Sequence, residues 1–140
     1  MAGKRTLYAA LFFVLCLLQT IIVGAAAQDY NFEVQKAEVI FWVENDGNVS
    51  ISYDYLFNNR GKGLDYIDIG LPNDSFDLKD VSAEIDGAAV SSSKISRADY
   101  SVSGLRHGVT VDNTGSPIPS GAAAEFYLVV KNIGKLLYDA

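Results

Sequence analysis

Glu38-Val39-Ile40-Phe41-Trp42-Val43-Glu44-Asn45-Asp46-Gly47-Asn48-Val49-Ser50-Ile51-Ser52-Tyr53-Asp54-Tyr55-Leu56-Phe57 is the stretch that decides the fold. Its second half alternates strictly. Val49, Ile51, Tyr53, Tyr55 and Phe57 fall on one side of an extended chain, and Ser50, Ser52 and Asp54 on the other, the period-two pattern of a strand with one packed and one solvated face. Between the halves, Asp46-Gly47 is the residue pair that a tight hairpin turn selects, because it tolerates positive φ. The passage therefore predicts an antiparallel hairpin, with strands over Glu38–Val43 and Asn48–Phe57.

The same grammar recurs down the chain. After the glycine-rich connector 58–63, Leu64–Leu71 carries Ile67, Ile69 and Leu71 as an inward set, and Pro72 closes it. Val81, Ala83 and Ile85 lead to a second Asp-Gly turn at Asp86-Gly87 and a short strand at Ala88–Val90. Ser91–Gly108 is serine-rich and weakly patterned, a loop or irregular edge with Ile95, Tyr100 and Val102 as core contributors. Val109 and Val111 mark a short strand, and Asn113–Gly121 a turn-rich segment. Ala124–Ile133 is the last clear strand, with Ala124, Phe126, Leu128 and Val130 facing in. About seven strands without helical periodicity predict an all-β domain, an immunoglobulin-like antiparallel sandwich. Val39, Phe41, Ile51, Tyr53, Ile67, Ile69, Val81, Ile85, Phe126, Leu128 and Val130 are its expected core. If Phe41 and Val43 point inward, Trp42 between them is out of phase and left exposed or covered by another part of the protein.

Upstream, residues 1–27 have the three parts of an export signal and are expected to form its helix. Lys4 and Arg5 make the basic start, Leu7 to Val23 the apolar run, and Val23-Gly24-Ala25-Ala26-Ala27 the small residues before a cut ahead of Gln28. Ala25, Ala27 and Gln28 are thus the expected cleavage residues. A retained anchor is the alternative, since the run approaches the ~20 residues of a membrane span. Lipoprotein processing is excluded because Phe13, Val14 and Leu15 precede Cys16, where a small residue is required. The expected location is the outer face of the membrane or beyond.

Cleavage leaves a domain of about 113 residues (28–140) with a single modest core. Losing Lys4 and Arg5 leaves 9 of the 11 basic residues against all 17 acidic ones, a net charge near −8 that argues against nucleic acid or anionic lipid as a partner. Cys16, the only cysteine, departs with the leader, so the mature chain has no disulfide, thiol nucleophile or cysteine metal site. His107 is the only histidine, too few for a multi-histidine site. No Gly-x-Ser-x-Gly elbow or Ser-x-x-Lys motif accompanies the serines.

Acidic turns at Glu44, Asn45, Asp46 and Asn48, and at Asp74, Asp77 and Asp80, offer oxygen ligands but miss the Asp-x-Asp-x-Asp-Gly spacing. Their ordinary explanation is turn chemistry. Asn48-Val49-Ser50 and Asn73-Asp74-Ser75 fit the glycosylation sequon. Trp42, Asp46 and Asp77 are the candidate ligand surface. No catalytic residue, cofactor or metal is expected. The leading function is a non-enzymatic interaction or structural head whose partner is a protein or envelope component. The alternatives are a carbohydrate- or calcium-dependent binding module and a small secreted hydrolase.

Three segments carry a resemblance: Gln28-Asp29-Tyr30-Asn31-Phe32-Glu33-Val34, Val43-Glu44-Asn45-Asp46-Gly47-Asn48-Val49-Ser50-Ile51, and Tyr66-Ile67-Asp68-Ile69-Gly70-Leu71-Pro72. With the leader, they resemble the amino-terminal extracytoplasmic domain of a group of uncharacterised, predicted bacterial membrane proteins. That resemblance implies a sandwich followed by more extracellular chain and a membrane anchor, so the apolar Leu136-Leu137-Tyr138 near the end reads as a domain cut short. It transfers no functional residue.

Overall fold

A computed structural model describes residues 30–137, apart from the side chains of Tyr100 and Val102. The expected leader, its cleavage residues Ala25, Ala27 and Gln28, and Tyr138 lie outside the described residues. Among those described, no helix is long and apolar enough to cross a membrane.

The described residues are mostly β, with eight strands among them: β1 (Phe32–Val43), β2 (Val49–Asn59), β3 (Tyr66–Gly70), β4 (Val81–Ile85), β5 (Ala88–Ala89), β6 (Ile95–Arg97), β7 (Gly108–Asp112) and β8 (Ala123–Ile133). They form two antiparallel sheets, β1-β2-β8-β4-β5 and β3-β7-β6. The stretch read as irregular, 91–108, contains a 3-10 turn at Ser92–Lys94, strand β6 and a single helical turn, α1 (Tyr100–Ser103).

Both Asp-Gly pairs make the turns expected of them. Gly47 adopts φ +81 and its N–H donates to the Glu44 carbonyl. Asp86 and Gly87 both take positive φ, 51 and 74, which is the two-residue turn that matches strand twist.

One core joins the sheets. Ile51, Phe126, Leu128, Val130 and Ile133 of the larger sheet and Val109 and Val111 of the smaller are all at 0 % exposure. Asn59 is equally buried; its Nδ2 donates to the carbonyls of Lys62 (2.7 Å) and Ile118 (2.8 Å), and its Oδ1 accepts from the Gly61 N–H (3.0 Å). Those bonds satisfy a polar group that burial would otherwise penalise.

Three expectations are corrected. Val39 and Phe41 are 39 % and 59 % exposed rather than core. They point to the inner face, opposite Tyr53 and Ile51, but β1 is an edge strand and the smaller sheet, three strands wide, does not reach over it. Ile85, at the end of β4, is half-buried. Ser50 and Ser52, assigned to the solvated face, are 8 % and 2 % exposed. Ser52 is flanked by Ile40 on one side and Val129 on the other, and Ser50 by Trp42, so larger neighbours close over short side chains in the middle of a sheet.

The first strand also starts earlier than its alternation suggests. A bulge between Val34 and Lys36 inserts Gln35 and shifts the inward positions from Phe32 and Val34 to Ala37, Val39, Phe41 and Val43.

Candidate interaction site

Where the smaller sheet stops short, a groove of about 1040 Å³ opens between the sheets. Its floor is an aromatic row on the inner face of β1 and β2. Tyr53 meets Tyr55 with ring centroids 6.1 Å apart, Tyr55 meets Phe57 at 5.9 Å, and Phe57 meets Phe32 edge-on at 5.5 Å. Edge-to-face contacts of this kind add to burial and hold the rings in a fixed array. Phe32, Val34 and Tyr66 along the groove are about 45 % exposed.

The opposite wall is β3. Asp65 accepts from the Asn113 N–H and the Leu71 N–H donates to His107, so the odd residues of this segment face β7. In an antiparallel strand both backbone groups of a residue point the same way, so those of Tyr66, Asp68 and Gly70 point away from β7, toward the groove. Tyr53 crosses the groove to donate its hydroxyl to the Gly70 carbonyl at 3.2 Å. Burial first, then neighbouring Tyr55, pushes that hydroxyl up to about 12, so it is a donor at any physiological pH. At the mouth, Tyr30 donates to Asp65, and burial followed by that carboxylate pushes it up to about 12 as well.

The charged residues at the rim are engaged by the scaffold. The Arg97 guanidinium donates to the carbonyls of Asp74 and Phe76 and stands 4.1 Å over the Phe76 ring. Asp68 accepts from Thr110, and Asp99 from Ser101. What the groove offers is therefore an apolar aromatic floor and a strip of strand backbone.

The residues singled out from sequence are not gathered here. Trp42 is 43 % exposed on the outer face of β1, opposite Ser50 and out of phase with Phe41. Asp46 caps its own hairpin, accepting from the backbone N–H of Asn48 at 3.0 Å and its side chain at 2.8 Å. Asp77 accepts from the Lys79 N–H and pairs with its ammonium at 3.1 Å, contacts that hold its carboxyl below the usual range. Among the described residues no group of three or more His, Cys, Asp and Glu side chains is placed to hold a metal. Asn73 of the second sequon donates to the Gly134 carbonyl at 2.8 Å, tying the end of β8 to the connection before β4. A second cavity, about 490 Å³, is lined by Lys94, Asp112, Asn113 and Ser116 among others; Asn113 Nδ2 is buried there without a hydrogen-bond partner.

Tyr30, Phe32, Val34 and Tyr66 line the groove but were not among the candidate residues. Their every-second-residue spacing from Tyr30 to Val34 was available in the sequence, cut off from the following strand by the change of phase at Gln35. Searches against protein-family models, curated proteins and solved structures return no match for this chain.

Proposed function

We propose that this protein is an exported, non-enzymatic interaction module, held at the outer face of the membrane, that takes an extended apolar segment of a partner protein as an added strand along β3. The export signal read in residues 1–27, the acidic mature chain and the resemblance to extracytoplasmic domains support the location. The scaffold is immunoglobulin-like in its layering of two antiparallel sheets; its last strand lies inside the larger sheet, between β2 and β4.

One observation carries the function: the open groove pairs an aromatic floor with a free strand edge. An added strand would bond to the backbone of Tyr66 and Asp68 and lower alternate side chains onto Tyr55, Phe57 and Val34. Backbone pairing supplies affinity and the floor selects apolar residues at every second position.

The test is a displayed library of ten-residue peptides selected on the purified protein. Enriched sequences should alternate apolar and polar residues, lose binding when proline replaces a residue whose N–H faces β3, and lose it again against Tyr55→Glu. A selection without enrichment, or binders indifferent to both changes, would refute the reading. Location is tested separately, by cell fractionation and by finding Gln28 at the amino terminus of the mature chain.

A further inference from the structure

The bulge at Gln35 divides β1 into two parts with different surroundings. Phe32, Val34 and Ala37 line the groove. Beyond Ala37, Val39, Ile40, Phe41, Trp42 and Val43 remain 39–63 % exposed in a regular ladder with β2. The Glu44 N–H donates to Asn48, which places the even residues of this stretch against β2. The backbone groups of Ala37, Val39, Phe41 and Val43 therefore line the open edge. A long apolar strand edge of this kind is a template for another strand, and proteins ordinarily cover or interrupt it.

The sequence of this edge fits a second copy of itself. An antiparallel pair centred on Ile40 sets Val39 against Phe41 of the second copy and Ala37 against Val43 of the second copy on the inner face. On the outer face it sets Ile40 against Ile40, Glu38 against Trp42 and Lys36 against Glu44. Every inner pair is apolar, and at the ends Glu44 approaches Lys36, which also pairs with Asp54 and Glu38 of its own chain. All four open-edge residues meet as hydrogen-bonded pairs, as an antiparallel ladder requires.

Neighbouring registers are worse. Moving the centre one residue toward Phe41 brings Glu38 against Glu44, and moving it one residue toward Val39 runs Val43 into the bulge at Gln35. Moving it two residues in that direction sets Glu38 against itself. The exposed surface of Val39–Val43 is on the order of 500 Å², divided around the strand edge between Val39, Phe41 and Val43 on the inner face and Ile40 and Trp42 on the outer. Edge pairing covers part of this surface on each copy, less than ~1000 Å² in total, the size of a weak and reversible interface.

We infer that the protein forms a two-fold symmetric dimer through β1, joining the two larger sheets into one continuous sheet with its axis at Ile40. This uses the other half of β1 from the peptide reading, so self-association and peptide capture fail independently.

Sedimentation equilibrium of the full chain should show a monomer–dimer equilibrium with Kd in the micromolar range. Ile40→Lys, which sets two ammonium groups together on the axis, should weaken it at least ten-fold. Glu44→Lys should weaken it, because it sets a second ammonium beside Lys36 while leaving the pairs of Lys36 with Asp54 (2.6 Å) and Glu38 (3.6 Å) in its own chain intact. In a Cys16→Ser background, Ile40→Cys should give a disulfide-linked dimer on mild oxidation; Trp42→Cys should not, because Trp42 faces Glu38 of the second copy and not itself. This readout stands even if the lysine variant fails to fold. A monomer at about 100 μM, far above the Kd expected of so small an interface, or an association indifferent to both Ile40→Lys and Glu44→Lys, would overturn the inference. A β1 edge that pairs only with a different protein would appear as that monomer.

Discussion

Phe126→Ala and Phe41→Ala remove the same ring from the same sheet and should differ severalfold in cost. Phe126 is at 0 % exposure, stacked 6.0 Å from Phe57 in a tilted contact, so its loss leaves a cavity with neighbours on every side. Such truncations cost about 3–5 kcal/mol, a large share of the ~5–15 kcal/mol that holds a domain together. At about 4–5 °C per kcal/mol for a chain of this size, the melting temperature should fall by about 12–25 °C. Phe41 is 59 % exposed, so only about two fifths of a full ring burial of ~1.5–3 kcal/mol is at stake, about 1 kcal/mol or less. Urea unfolding followed by tyrosine and tryptophan fluorescence, at about 0.02 μM, well below the Kd expected of edge pairing, so that pairing does not contribute, gives both numbers. Equal losses for the two variants would refute the placement of β1 outside the core.

Asn59→Ala should cost about 1–3 kcal/mol, because it removes side-chain hydrogen bonds to the Lys62 and Ile118 carbonyls and from the Gly61 N–H, while Ile118 keeps the Leu64 N–H; urea midpoints near wild type would contradict that role. Gly108→Ala should be strongly destabilising despite the small side chain, since an added Cβ would lie 2.5 Å from the Ile69 carbonyl oxygen in β3; an unchanged melting curve would show that the sheet yields. Tyr53 sets an alkaline limit: its hydroxyl pKa rises from 10.0 to about 12 on folding, so its contribution is complete below pH 10 and disappears as pH climbs through about 12. Tyr53→Phe should flatten the loss of stability over that interval, and superimposable pH profiles would exclude Tyr53 as its source.

The hairpin at Asp46-Gly47, the strands β2, β4 and β8 and the two-sheet layout were legible because strict alternation and turn chemistry act over a few neighbouring residues. What escaped depends on non-local geometry. Val39 and Phe41 have the pattern of core residues, yet their exposure is set by the width of the facing sheet, a property of β3, β6 and β7. Ile133 escaped for a local but irregular reason: the register shifts opposite Val49–Ile51, and Asn132 adopts φ 57, so a residue of the wrong parity turns inward to 0 % exposure. The groove was invisible for both reasons, since half its floor precedes the bulge and its free wall is a strand edge. Trp42 takes the phase opposite to Phe41 as expected, yet it is less exposed (43 %) than Phe41 (59 %) and Val43 (63 %), so on this edge phase does not decide exposure.

The strand order has a bearing on how the chain acquires its shape. β8, the last of the described strands, separates β2 from β4 in the larger sheet, so no portion before it can close that sheet. A polypeptide delivered amino end first can form the β1–β2 hairpin, but that ribbon alone is marginal in water, and long-range strand pairing is slow. The larger sheet thus stays open until β8 arrives; insertion of that strand is the committing step, and truncations before Ala123 should yield no folded domain.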